Sequence, residues 1–187
     1  MKKIIENKEN MVVINKSKFI GIVNLVYTKE EITKILSNLK EKYHDATHIC
    51  YAYIIDNNKK YSDDKEPTGT AGKPILEILE KNNLNYVLAV VVRYFGGIKL
   101  GSGGLVRAYS NSIKEVISNN IKEIEHAYLI KIDENYNKND EIKYLLKDSN
   151  IIKSEYTDKI NIELIIKKEN LNKLSNINYK IIKEIII

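Results

Sequence analysis

The chain has 187 residues, 43% hydrophobic and 29% charged, with a net charge of +5, which excludes a disordered chain and gives enough apolar material for one medium core or two small ones. No segment approaches the roughly 18 to 20 consecutive apolar residues of a membrane span, and the start MKKIIENKEN lacks the apolar stretch of a signal peptide, so a soluble cytoplasmic protein with no membrane partner is expected. The single cysteine, Cys50, excludes an internal disulfide and a four-thiolate metal site.

In chain order, residues 11–14 and 19–27 are rich in apolar and β-branched side chains and predict strands. Thr28 with Glu31 has the form of a capping box, and Ile32, Ile35, Leu36, Leu39 and Tyr43 then recur on one face of a helix. Residues 48–55 alternate, with His48, Cys50, Ala52 and Ile54 on one side and Ile49, Tyr51, Tyr53 and Ile55 on the other, as a strand covered on both faces requires. A polar turn at 56–60 is expected to end it. A long loop, YSDDKEPTGTAGKP, leads to a short helix carrying Ile75, Leu76, Ile78 and Leu79, with Pro74 tolerable only in its first turn. Residues 84–92 are the most continuously apolar run and predict a central strand, with Arg93 at its end. The turn RYFGGIKLGSGG enters a helix over 102–118, with Ser102 as N-cap. Its buried face is Leu105, Ala108, Tyr109, Ser112, Ile113, Val116 and Ile117, while Arg107, Asn111 and Lys114 lie on the polar side.

After Asn119 and Asn120 a short polar hinge is expected, and a smaller pattern begins at His126. Residues 127–132 predict a strand, 140–147 a helix, 151–156 and 160–166 a hairpin, 171–177 a helix and 181–187 a closing strand. The order β-α-β-β-α-β is that of a ferredoxin-like unit. The fold class is therefore α+β, with a first domain over 1–122 and a second over 123–187. From residue 126 onward 11 lysines face 10 acids, so the first part carries the remaining +4 of the net charge.

Where that charge sits matters more than its sum. Heavy use of Ile, Lys, Asn and Tyr is the pattern of an AT-rich coding sequence, so lysine surplus alone says little about partners. Arginine is different: against 28 lysines there are two, Arg93 and Arg107, and they fall with both prolines and seven of the eight glycines between residues 67 and 107. Each is expected to do something lysine cannot, such as bidentate contact with phosphate or carboxylate. Gly101, Ser102, Gly103 and Gly104 open a helix whose N-terminal N–H groups could hold an anion, and Arg107 would lean toward that end, with Arg93, Lys99 and the Lys73 loop closing the same pocket. The structural alternative is that the glycines serve tight turns and the arginines pair with acids, for which Asp63, Asp64 and Glu66 are available.

Standard nucleotide motifs do not fit: GSGGLV lacks the last glycine of G-x-G-x-x-G, and Pro67 and Pro74 stand where a P-loop needs glycine and a hydroxyl residue. Asp63, Asp64 and Glu66 form an acidic loop that could take Mg²⁺, though such acids are more often solvated or paired; no metal and no cofactor are expected. His44, Asp45 and His48 straddle a helix end and a strand start, where capping and core roles are the simpler expectation. Cys50 reads as a small core residue, so no catalytic residue is assigned and an enzyme is not favoured.

The stretches KSKFIG, DATHICYAY, SDDKEPTGTAGKPILE and VVVRYFGGIKLGSGGLVRAY, in this order and spacing, closely resemble the pattern of the IMPACT/YigZ family. The resemblance is strong over roughly 17–118, and residues beyond it match bacterial YigZ-type members by architecture. Lys65 departs from the pattern, standing where the family usually has glycine in D-D-G-E-P. The resemblance implies a first domain with the βα-sandwich fold of the second domain of a small-subunit ribosomal protein, and a second similar to the ferredoxin-like domains of elongation factors. Eukaryotic members regulate translation by competing for the activator of an amino-acid-starvation kinase, using an extra N-terminal domain, so that partner is not expected here.

The leading expectation is a non-catalytic, translation-linked regulator that binds RNA or the ribosome through Lys73, Arg93, Lys99 and Arg107. An enzyme or sensor for a phosphorylated small molecule at the same pocket is one alternative. A protein–protein adaptor using Tyr94, Phe95 and Ile98 is another, since an aromatic turn serves partner contact as well as base stacking.

Overall fold

In the computed structural model, which describes residues 1–147 and 149–187, the chain divides into two units, Met1–Glu123 and Ile124–Ile187, each built on its own core. The first runs β1(Lys2–Ile4), β2(Lys8–Ile14), β3(Ser17–Leu25), α1(Lys29–Lys42), β4(His48–Ile55), β5(Asn58–Ser62), α2(Gly72–Lys81), β6(Val87–Tyr94), α3(Gly101–Ile117) and β7(Ile121–Glu123). Five of its strands form an antiparallel sheet in the order β2-β3-β6-β4-β5.

Period-two alternation along the central strand β6 explains the layers. Val87, Ala89 and Val91 join the cluster that includes Ile75 and Leu79 of α2 and Leu105, Tyr109 and Ile113 of α3. Leu88, Val90 and Val92 face the other way, into the cluster of Ile32, Ile35 and Leu36 from α1. The sheet is thus covered by two helices on one side and one on the other, and Arg93, next in the alternation, belongs to the α2/α3 side. At Gly21 a β-carbon would come within 2.5 Å of the Ser112 carbonyl oxygen, so β3 crosses α3 at a distance only glycine permits. The capping box on α1 is complete: the Glu31 N–H donates to Thr28 Oγ1 at 3.2 Å and the Thr28 N–H to Glu31 Oε2 at 3.3 Å.

Three local expectations are corrected. The polar stretch 56–60 is mostly strand: Asp56, at φ +51°, turns the chain tightly, and β5 pairs back on β4 with Asn58 opposite Ile55. An edge strand whose side chains are exposed carries no apolar alternation, which is why it reads as a turn. The hinge expected after Asn120 opens on a strand instead, β7, paired with β1, and Asn120 just before it is anchored. It is 2% exposed, its Oδ1 accepts from the Glu6 N–H at 3.1 Å and its Nδ2 donates to the Glu6 carbonyl at 3.0 Å. Ser102 does not cap α3, which begins one residue earlier, at Gly101, and has no side-chain cap.

The second unit runs β8(His126–Glu134), α4(Asn139–Leu145), β9(Asn150–Tyr156), β10(Ile160–Lys167) and β11(Tyr179–Ile186), with antiparallel strands in the order β11-β8-β10-β9. Ile130, Ile132, Ile160, Ile162 and Leu164 pack with Ile142 of α4. The α-helix expected at 171–177 is instead a 3-10 segment over Lys168–Leu174. Leu174 and Ile177 still reach the core from the tighter turns.

Candidate functional site

The site begins with register. His48 on β4 lies directly opposite Arg93 on β6, and both point to the α2/α3 side. Beneath them Tyr109 of α3, fully buried, stands edge-on to Phe19 with ring centroids 5.4 Å apart. A carboxylate arrives from the loop before α2: Glu66, 8% exposed. Its Oε1 accepts from the Arg93 guanidinium and, at 2.8 Å, from the Tyr109 hydroxyl, and lies 3.7 Å from His48 Nε2. Arg93 is itself only 5% exposed, so the pair neutralises two charges that could not be buried singly. Phe19 and Phe95 lie 5.4 and 5.6 Å from its guanidinium carbon, which adds cation–π attraction.

The turn that delivers Glu66 is tight. The Glu66 N–H returns to the Asp63 carbonyl at 2.9 Å, and the two residues between, Asp64 and Lys65, have φ of +41° and +68°. Both acids of this loop face inward. Asp63 accepts the N–H groups of Gly69, Ala71 and Gly72 at 2.9, 3.1 and 2.8 Å, serving as a distant cap for α2. Asp64 accepts the Ile49 N–H at 2.6 Å, and its carbonyl is 2.8 Å from His48 Nδ1. The acidic loop is therefore committed to holding the backbone together, and among the described residues no group of three His, Cys, Asp or Glu could hold a metal. Burial pushes the Cys50 thiol up to about 12, and its Sγ donates to the Asp63 carbonyl at 3.0 Å, so it is a neutral packing group rather than a nucleophile. The Tyr109 hydroxyl is likewise raised, first by burial and then by the neighbouring Cys50.

Above this network opens a groove of about 470 Å³ lined by His48, Glu66, Pro67, Arg93, Phe95, Lys99 and the first residues of α3, Gly101 and Ser102. Gly101, at φ +68°, turns the chain into the helix in the left-handed region that glycine adopts without cost. Phe95 is 46% exposed at the rim; its N–H donates to Thr47 Oγ1 at 2.9 Å, which pins the turn.

The sequence-predicted residues divide accordingly. Arg93, Phe95, Lys99, Gly101 and Ser102 share the groove with Glu66. Arg93 is a buried partner of Glu66 and not a surface anion contact, because its strand position points it inward. Arg107 is exposed on α3, with Nη1 3.8 Å from where a β-carbon of Gly103 would be, so it leans back over the first turn. Gly104 packs against Leu100. Lys73 is exposed on α2, away from the groove lining. Tyr94 is tied by its hydroxyl to Asp45 at 2.8 Å, and Ile98 is exposed on the glycine turn. His48, expected as a capping or core residue, lines the groove; strand alternation puts it on the Cys50 face, and the opposing strand, which no local pattern gives, sets it beside Arg93.

The chain matches the family model described as the Impact N-terminal domain over residues 15–117. It is 38% identical over 184 residues to the IMPACT family member YvyE of Bacillus subtilis (strain 168), covering 91% of this chain and 81% of that protein. IMPACT family member YigZ of Escherichia coli (strain K12) is 38% identical over 109 residues, 56% of this chain and 53% of that relative, so the chain spans about half of its length. A solved structure titled as the crystal structure of a hypothetical protein superposes with a TM-score of 0.63 at 28% identity, covering 97% of each chain. The chain belongs to the IMPACT family.

Proposed function

We propose that this protein is a non-catalytic, translation-linked regulator that binds RNA or the ribosome through the basic, glycine-rich surface at the start of α3. The observation that carries this reading is the first turn of that helix. Gly101, Ser102 and Gly103 are exposed, no side chain caps the turn, and the exposed Arg107 leans over it. A cation at a helix N-terminus is at the unfavourable end of the dipole, and an incoming phosphate removes that penalty while meeting free N–H donors. Lys99 precedes the turn, and Phe95 and Ile98, exposed beside it, suit a stacked base. The link to translation rests on family membership, whose eukaryotic branch regulates translation.

The finer fold assignments belong to the same reading. The sheet covered by one helix on one side and two on the other supports likeness to the second domain of a small-subunit ribosomal protein. The order β11-β8-β10-β9 supports a ferredoxin-like second domain over 123–187.

Single-stranded RNA titrated over a salt series tests the proposal. Each phosphate contact contributes about −0.7 to the slope of log affinity against log salt, so Lys99→Ala with Arg107→Ala should flatten it by about 1.4. Identical affinity and slope would remove the idea. Arg93→Ala is unsuitable for this test, since stranding the buried Glu66 carboxylate costs about 3–5 kcal/mol of stability.

A further inference from the structure

The buried network leaves its polar capacity incomplete on the side of the groove. Glu66 Oε1 takes Arg93 and Tyr109, whereas Oε2 takes no protein donor among the described residues. His48 Nδ1 contacts the Asp64 carbonyl at 2.8 Å, and because a carbonyl only accepts, Nδ1 carries a proton; in the neutral ring Nε2 then holds a lone pair. Nε2 lies 3.7 Å from the Glu66 carboxylate, so in the neutral tautomer two acceptors adjoin. Beside them the Nε of Arg93, in a side chain about 94% buried, has no acceptor. A buried donor left unpaired, as Arg93 Nε is, costs stability unless something completes it. All three residues line the same groove, whose rim carries Phe95 and whose end is the uncapped first turn of α3.

We propose that this groove reads one unpaired guanine of an RNA strand. The base donates its N1–H and N2 amino group to Glu66 and His48, stacks on Phe95, and leaves its phosphate at the N-terminus of α3. Guanine is the base that offers two adjacent donors. Adenine and cytosine set an acceptor beside their amino group, and uracil flanks its single N–H with carbonyls, so each turns a lone pair toward Glu66 or His48. A site built to accept hydrogen bonds rejects analogues that lack the donors. The Arg93 guanidinium lies 5.6 Å from the Phe95 ring, and Phe95 is 46% exposed, which leaves ring surface for stacking. The volume, about 470 Å³, is that of a small-ligand pocket. The inference rests on the RNA-binding reading above and narrows it to a base.

Short uridine-rich RNA strands with one central guanine, inosine, adenine, cytosine or uracil, titrated against the whole protein by fluorescence anisotropy, test it. The guanine strand should bind about tenfold more tightly than the adenine, cytosine and uracil strands. Inosine, lacking the N2 amino group, should fall between, and His48→Ala should make guanine and inosine equal. The inosine comparison on the unaltered protein stands even if that variant folds poorly. Equal affinity for every strand, with salt-dependent binding retained, overturns the base assignment and leaves RNA binding intact. A guanine preference unchanged by His48→Ala overturns the assignment of this groove. No binding of any strand overturns RNA binding and the base reading together.

Discussion

Lys65 shows how far one residue can depart from a family pattern while the backbone keeps it. The turn from Asp63 to Glu66 holds both central residues at positive φ, the geometry in which Asp-Gly is the favoured pair, and D-D-G-E-P supplies it. Here lysine takes the glycine position at φ +68°. A residue with a β-carbon pays about 1–2 kcal/mol in that region, partly offset because glycine loses more backbone entropy on folding, by about 0.5–1 kcal/mol. Lys65 is exposed, so its side chain supplies little packing in return. Lys65→Gly is therefore expected to raise the unfolding free energy by about 1 kcal/mol, read as a higher urea midpoint at unchanged slope. A lower midpoint would show that the lysine has a role its exposure hides. The turn matters because it aims Glu66 at Arg93 and His48, so the same variant should leave RNA affinity unchanged.

At the scale of elements, α2 is held from outside itself. It has no side-chain cap of its own, and Asp63, far back in the preceding loop, accepts three N–H groups at its start. Asp63→Ala strands those donors and is expected to cost about 1–3 kcal/mol, with faster amide hydrogen exchange at residues 69–72 before any global change. Exchange that stays slow there would mean that the surrounding packing, and not the carboxylate, protects those amides. This long-range cap also marks where sequence reading stopped. The helices with an apolar stripe and the strands with apolar alternation were legible because burial imposes a period: Ile32 and Ile35 of α1 and the β4 faces follow it. β5 was not, since an exposed edge strand has no period, and the stretch expected as a helix at 171–177 takes the tighter 3-10 form over Lys168–Leu174. In the site, the glycine turn and the lean of Arg107 could be read from residue type and helix geometry. The burial of Arg93 against Glu66, and the arrival of His48 beside them, depend on which strands adjoin. No local pattern encodes that pairing across 27 residues.

At the scale of the larger unit, the chain closes on itself through a short clasp. β1 pairs antiparallel with β7, bringing Ile4 opposite Ile121, and Ile4 is completely buried in the main core. Asn120 fastens the joint: its side chain satisfies both the N–H and the carbonyl of Glu6, and its own carbonyl accepts the Ile5 N–H at 3.0 Å. On the far side of β1, the Lys2 N–H donates to the Asn83 carbonyl and the Lys2 carbonyl accepts from Asn85, so the first strand bridges the end of α3 and the approach to β6. Asn120→Ala removes two part-buried hydrogen bonds and leaves two backbone groups of Glu6 in need of partners, an expected loss of about 1–2 kcal/mol. The loss should begin at the joint: amides of Lys2 and Ile5 should exchange first, followed by those of the core strand β6 as Ile4 withdraws. Asn120→Asp keeps the acceptor for the Glu6 N–H but sets an unpaired carboxylate against the Glu6 carbonyl at a site 2% exposed, so it should cost at least as much as Asn120→Ala. If both variants unfold at the unmodified midpoint, β1 is an appendage, and the core closes without it.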